Sequence, residues 1–164
     1  MKTIYLVRHA KSSWKEAGLS DFERPLNKRG QHDAPFMAKL LAKKDEMPEV
    51  IVSSPALRAL TTAKIFASEF NSDTQIVEEE KIYEAGLGNL IKIINNLQET
   101  FNTVMIFGHN PGLTYLANYL GDKSIDNIPT CGIVKITFDI NSWQDISDGS
   151  GKIVFFEYPK KYYK

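Results

Sequence analysis

A single cysteine, Cys131, excludes an internal disulfide and agrees with a reducing compartment. Net charge is missing too. Twenty Lys and Arg stand against twenty Asp and Glu, which argues against a general nucleic-acid binder while allowing a local basic pocket. Long hydrophobic runs are also absent. The apolar stretch at the amino end breaks at Arg8, too soon for a signal h-region, and nothing later is long enough to span a membrane. Repeats, low-complexity tracts and internal linkers do not occur, so residues 1–164 are read as one domain. The expectation is a soluble cytoplasmic protein, monomeric, with neither nucleic acid nor membrane as a partner. What is present is an ordinary globular balance, 43% hydrophobic and 24% charged, sufficient for one substantial core.

The chain opens on Ile4-Tyr5-Leu6-Val7, a short apolar run of β-formers that stops at Arg8-His9. Such a run reads as a buried parallel strand with Arg8 and His9 at its carboxyl end. Residues 12–27 carry turn formers without a period and read as a long, functional loop. Asn27 caps a helix expected over 28–43, with Pro35 expected to kink it or leave its first half irregular. A strand over 49–53 follows, then Ser54-Pro55 as a helix start, with the helix continuing to about Phe70 and Arg58 in its first turns. Gln75-Ile76-Val77 allows a short strand. Leu87, Leu90, Ile91, Ile94 and Leu97 mark an amphipathic helix to about Glu99. Asn102 to Phe107 is another buried strand, ending in Gly108-His109-Asn110-Pro111-Gly112. A helix from there stops at Gly121, and two strands over 132–140 and 152–158 form an antiparallel hairpin. The tail 160–164 reads as a solvated end. This order predicts an α/β three-layer α/β/α sandwich, its sheet mostly parallel with an antiparallel edge hairpin.

Three segments share one local plan, an apolar strand followed by a cationic or imidazole residue: Val7-Arg8-His9, Ser53 to Arg58, and Phe107-Gly108-His109. In one parallel sheet these bring Arg8, His9, Arg58 and His109 to a single rim, where open α/β sheets bind ligands. Two arginines and two histidines there suit a doubly charged tetrahedral anion, because the guanidinium fork matches phosphate oxygens. Helix amino ends near Ser54 and Asn110 add donors and a favourable dipole.

Arg8-His9-Ala10-Lys11-Ser12 resembles the Arg-His motif of the histidine phosphatase superfamily, which includes phosphoglycerate mutases. Asp21-Phe22-Glu23-Arg24-Pro25-Leu26, followed by Arg29-Gly30, is similar to a segment of its small SixA-type phosphohistidine phosphatases. Ser53-Ser54-Pro55 with Arg58-Ala59 and Thr62-Ala63, Ile82-Tyr83-Glu84-Ala85, and Gly108 to Gly112 resemble three further family segments. The matches run from Ile4 to about Gly112. The resemblance implies the phosphoglycerate mutase-like fold and His9 as the nucleophile of a phosphohistidine intermediate. It implies Arg8, Arg58 and His109 as phosphate ligands, and Glu84 as the general acid. Neither metal nor cofactor is implied. A nucleophilic histidine must be neutral at the attacking nitrogen, its other N–H held by an acceptor, expected to be a backbone carbonyl. The substrate expected is phosphohistidine on a protein. The alternatives are a small phosphoester, handled by a phosphomonoesterase or mutase, and a non-catalytic phosphate-binding module. Ala10 departs from the family, where glycine often follows the Arg-His pair. Little sequence separates Arg58 from Glu84 or Glu84 from His109, which suggests a shallow, open pocket.

Plainer readings stand beside these. His9 could only cap backbone groups, and Glu84 could be a surface carboxylate. Lys11 and Trp14 line the entrance, or are a solvated lysine and a loop-packing tryptophan. His32 reads as a surface residue. Cys131 lacks the Cys-x5-Arg pattern of cysteine phosphatases and reads as a packed thiol. Gly149 to Lys152 is a hairpin turn rather than a phosphate loop, and the three histidines lack metal-ligand spacing.

Overall fold

A computed structural model describes residues 1–70 and 73–163. Its strands are β1 (Lys2–Arg8), β2 (Val50–Ser53), β3 (Gln75–Glu78), β4 (Thr103–Gly108), β5 (Ile133–Phe138) and β6 (Gly151–Glu157). They form one sheet in the order β3-β2-β4-β1-β5-β6. The first four run parallel, and β5 and β6 are antiparallel additions beside β1. The helices are α1 (Lys28–Lys43), α2 (Leu57–Glu69), α3 (Leu87–Asn95) and α4 (Gly112–Leu120).

Side-chain alternation along the strands builds two cores. Tyr5, Val7, Ile51, Met105 and Phe107 meet Met37 and Leu41 of α1 and Phe66 of α2. Their neighbours Ile4, Leu6, Val52, Val104 and Ile106 meet Leu90 and Ile94 of α3 and Leu113 and Leu116 of α4. Strands buried on both faces need apolar residues at successive positions, which explains the unbroken runs in the sequence. The result is the three-layer sandwich expected. The carboxyl ends of β1, β4 and β2 lie side by side, with Arg8 in register with Gly108 and Ser53 with Phe107.

Several local expectations are corrected. The helix expected to begin at Pro55 begins at Leu57. The oxygen of Ser54 accepts from the Ala56 N–H at 3.2 Å but does not cap α2. The helix expected to reach Glu99 ends at Asn95. α1 is continuous through Pro35. The carboxyl tail is not a free end. Pro159–Lys161 form a 3-10 turn, Tyr162 and Tyr163 pack on Phe36, and the Tyr163 hydroxyl donates to buried Asp33. Lys164 lies outside the described residues. Among the described residues no helix is long and apolar enough to cross a membrane.

Candidate active site

His9 is the first residue beyond β1. Its N–H donates to the Gly108 carbonyl at 3.1 Å, and the Cys131 N–H reaches the carbonyls of both Arg8 and His9 at 3.0 Å. The next N–H, of Ala10, donates to Thr62 Oγ1 at 3.1 Å, while the Thr62 hydroxyl donates to the Arg58 carbonyl at 2.7 Å. The turn after β1 is thereby tied to β4, to the segment before β5 and to α2. Ala10 is fully buried and has no positive φ. Its methyl therefore adds packing, and no glycine is required there.

His9 is 7% exposed, and its ring Nδ1 lies 2.7 Å from the Ala10 carbonyl oxygen. A carbonyl only accepts, so Nδ1 carries the proton and Nε2 keeps its lone pair. Burial pushes the pKa of His9 down to about 3. The bond to Ala10 opposes the shift, and the nearby His109, Arg58 and Arg8 add to it.

Around this ring stand Arg8, Arg58 and His109. Arg8 Nη1 donates to the Ile128 carbonyl at 3.0 Å. Arg58, 6% exposed, donates from Nη1 to the Asp21 carbonyl at 2.6 Å and from Nη2 to Asp21 Oδ2 at 3.0 Å. The His109 ring centroid is 5.3 Å from that of His9. His109 Nε2 lies 2.8 Å from Ser54 Oγ. That oxygen also accepts from the Ala56 N–H. With its own hydrogen directed to Nε2, the His109 proton sits on Nδ1. Burial, with Arg58 nearby, pushes the pKa of His109 down to about 4, so the ring is neutral at pH 7.

Buried polar atoms are normally paired. Among the described residues the buried side-chain nitrogens and oxygens without a partner are Arg8 Nε, Arg58 Nε and His109 Nδ1. All three belong to residues lining one pocket of about 200 Å³ with His9. Two unpaired arginine N–H groups and an unpaired ring nitrogen beside the His9 ring give the pocket the character of an anion site.

Four residues to which the sequence reading gave no catalytic or phosphate-binding role support these groups, and one of them, Arg24, lines the pocket itself. The Asp21 carboxylate accepts from Arg58, from Arg24 Nε at 3.1 Å and from the Tyr83 hydroxyl at 2.6 Å. These donors, Tyr83 first, hold its pKa down at about 2. Arg24 also donates to Ser12 Oγ at 2.7 Å. Its guanidinium stacks on the Trp14 ring, 3.4 Å from the centroid, and it lines the pocket with Trp14 and Lys11. Tyr83 packs edge-on against His109, and Ser54 Oγ holds the His109 ring through Nε2. The signal for Asp21 and Arg24 was the family-like segment Asp21 to Leu26, and the 3-10 turn Asp21–Glu23 lets Arg24 Nε reach Asp21 Oδ1. Gly30 holds this loop from below, since a Cβ there would come within 2.1 Å of the Lys11 carbonyl oxygen.

Glu84 is placed differently. It follows Tyr83 on the connection between β3 and α3, exposed, with φ of 58° and outside the pocket lining. His32 is exposed and stacks on Phe36. Cys131 is fully buried and its thiol pKa is raised by burial. Among the described residues no three His, Cys, Asp or Glu stand together to hold a metal.

A family model, that of the histidine phosphatase superfamily (branch 1), matches residues 4–101, a span that contains Arg8, His9 and Arg58. The chain belongs to the histidine phosphatase superfamily. An uncharacterized chloroplastic protein of Arabidopsis thaliana is 29% identical over 159 residues, covering 92% of this chain and 72% of that protein. Among solved structures, one assigned as the phosphohistidine phosphatase SixA of Agrobacterium tumefaciens superposes with a TM-score of 0.81 at 26% identity. That match covers 96% of this chain and 98% of the other. The protein histidine phosphatase SixA in complex with tungstate superposes at 0.83 and 22% identity, covering 97% and 98%. A mycobacterial glucosyl-3-phosphoglycerate phosphatase shares the fold at 0.72 and 12% identity, covering 97% and 100%. This histidine phosphatase is thus a SixA-type hydrolase, on a fold that relatives use for different phosphorylated substrates.

Proposed function

We propose that this phosphatase removes phosphate from phosphohistidine on a protein, through a phosphoryl group carried on His9 Nε2. The observation that carries the reading is the neutral His9 ring, Nδ1 bound to Ala10, in one pocket with Arg8, Arg58 and His109, each of which has an unpaired buried nitrogen. In the first step the Nε2 lone pair attacks phosphorus and the bond to the leaving imidazole breaks, that imidazole keeping or taking a proton. In the second step water attacks phosphorus, the bond to Nε2 breaks, and inorganic phosphate leaves with His9 neutral again. The arginines and His109 Nδ1–H hold the phosphoryl oxygens through both steps. Phosphoryl transfer demands this positioning and fixed charge more than further covalent chemistry.

The substrate assignment rests on size and access. A cavity of about 200 Å³ accepts a phosphoryl group and little else, whereas pockets that enclose a small metabolite are typically ~300–1,000 Å³. Trp14, 79% exposed, and the half-exposed Phe22 and Leu57 stand nearby as an open apolar rim. A phosphorylated side chain on a protein surface can reach such a site. The SixA neighbours, named for phosphohistidine, agree.

A substrate panel under single turnover tests this: a phosphohistidine protein, an alkyl phosphate and an activated aryl phosphate. The phosphohistidine protein should react fastest, and an alkyl phosphate preferred over it would contradict the assignment. The same panel tests Glu84 as the general acid, which matters in proportion to how poor the leaving group is. Glu84→Gln should slow the alkyl phosphate by about a hundred-fold, phosphohistidine modestly and the aryl phosphate least. No loss on any substrate would make Glu84 the surface carboxylate its exposure resembles.

A further inference from the structure

A second cleft opens beside the catalytic pocket. It is about 310 Å³ and shares Arg8, Lys11 and Thr130 with that pocket. Its outer part comes from elements far apart in sequence: Arg29 at the start of α1, Asn127 before β5, and Tyr158 and Lys160 after β6. The lining holds four cationic side chains, Arg8, Lys11, Arg29 and Lys160, and no carboxylate. In a chain of zero formal charge this is a local concentration of positive charge, and it adjoins the nucleophile.

Among the described residues Arg8, Lys11 and Lys160 make no ion pair with the protein's own acids, and Arg29 makes one through Nε alone. Lys11 and Lys160 are exposed, and neither ammonium has a hydrogen-bond or ion-pair partner among the described residues. Arg29 is anchored from behind: its Nε donates to Asp33 Oδ2 at 3.3 Å, and Tyr163 donates to the other oxygen of that fully buried carboxylate. This leaves the two Nη groups of Arg29 without a partner among the described residues. The packed tail accounts for the position of Lys160. The neighbouring Lys161 is engaged with Glu157 at 2.7 Å, whereas Lys160 lines the cleft.

We infer that this cleft binds a second anionic group of the substrate molecule while its phosphoryl group lies against His9. The inference rests on the phosphatase reading of the catalytic pocket and adds the substrate feature that pocket is too small to select. For a phosphorylated protein the group is an aspartate or glutamate beside the phosphohistidine. The same chemistry is met by a second phosphate on a small molecule.

The test uses two matched substrate pairs and the full-length protein. One pair is a phosphohistidine peptide with flanking glutamates and its glutamine counterpart. The other is a sugar bisphosphate and its monophosphate. An aryl phosphate, which has no second anion, reports the catalytic pocket alone. Wild type should favour the glutamate peptide in kcat/KM by about ten-fold at low salt, chiefly through KM, and the preference should shrink as salt rises. Lys160→Ala should reduce it to about three-fold and Lys160→Glu should abolish it, with aryl phosphate turnover and thermal midpoint unchanged. A preference confined to the sugar pair, and lost in Lys160→Glu, would support the cleft and assign it to a second phosphate. Aryl phosphate turnover with no preference in either pair, or with a preference that survives Lys160→Glu, would overturn the cleft and leave the phosphatase reading standing. Wild type inert on all substrates would overturn both.

Discussion

At the scale of single residues, the two histidines are tuned in the same direction. Burial pushes His9 to about 3 and His109 to about 4, so both are neutral in the folded protein where an unfolded chain would protonate them below about pH 6.5. The unfolded state therefore binds more protons in that range, and the two rings cost stability as pH falls from about 6.5 towards 4. The same shift keeps the His9 Nε2 lone pair available in mildly acidic solution. We expect the ring resonances of His9 and His109 to stay constant from pH 8 to 5 in an NMR titration. Movement with a midpoint near 6.5 would mean the rings are solvated and the nucleophile is protonated in that range. Asp21 moves the other way in charge, held ionised by Tyr83, Arg58 and Arg24. It fixes both outer nitrogens of Arg58 and so orients the unpaired Nε.

At the scale of elements, the site is a meeting of three parallel strand ends with the turns that follow them. α2 carries Arg58 on the face that packs on Ala10 and the His9 turn, and Lys64 on its exposed face. Arg58→Ala should lower kcat/KM by about two to three orders of magnitude, the usual cost of removing one fixed donor from a developing charge. Lys64→Ala should stay within about two-fold, in line with a surface substitution. Equal, small losses in both would mean that α2 does not present Arg58 to the phosphoryl group. The convergence was legible because β1 and β4 are apolar runs that end beside Arg8-His9 and His109, and β2 is one that leads into the turn before Arg58. Periods of two and 3.6 residues do not encode the rest. Ser54 looks like a cap in sequence, but in the fold its oxygen accepts from Ala56 and lies against His109, 55 residues away. Asp21 and Arg24 sit in a loop without periodicity, where only tertiary partners decide which side chains turn inward. The carboxyl tail reads as polar, yet its tyrosines find Phe36 and Asp33 on α1.

At the scale of the whole molecule, β4 lies between β1 and β2, and this insertion sets Gly108-His109 beside Arg8-His9. The antiparallel β5 and β6 cover the other side of β1, and the segment before β5 returns Cys131 to the Arg8 and His9 carbonyls. The entire sheet is thus arranged around one ring, and the account stands or falls on whether phosphate passes through it. The most direct measurement is a rapid quench of the protein with a phosphodonor labelled in its phosphoryl group, followed by location of the label. The label should be acid-labile and base-stable, map to the peptide containing His9, and be absent from a folded His9→Ala variant that no longer turns over. Label on a serine or on Cys131, or undiminished turnover by His9→Ala, would contradict the account.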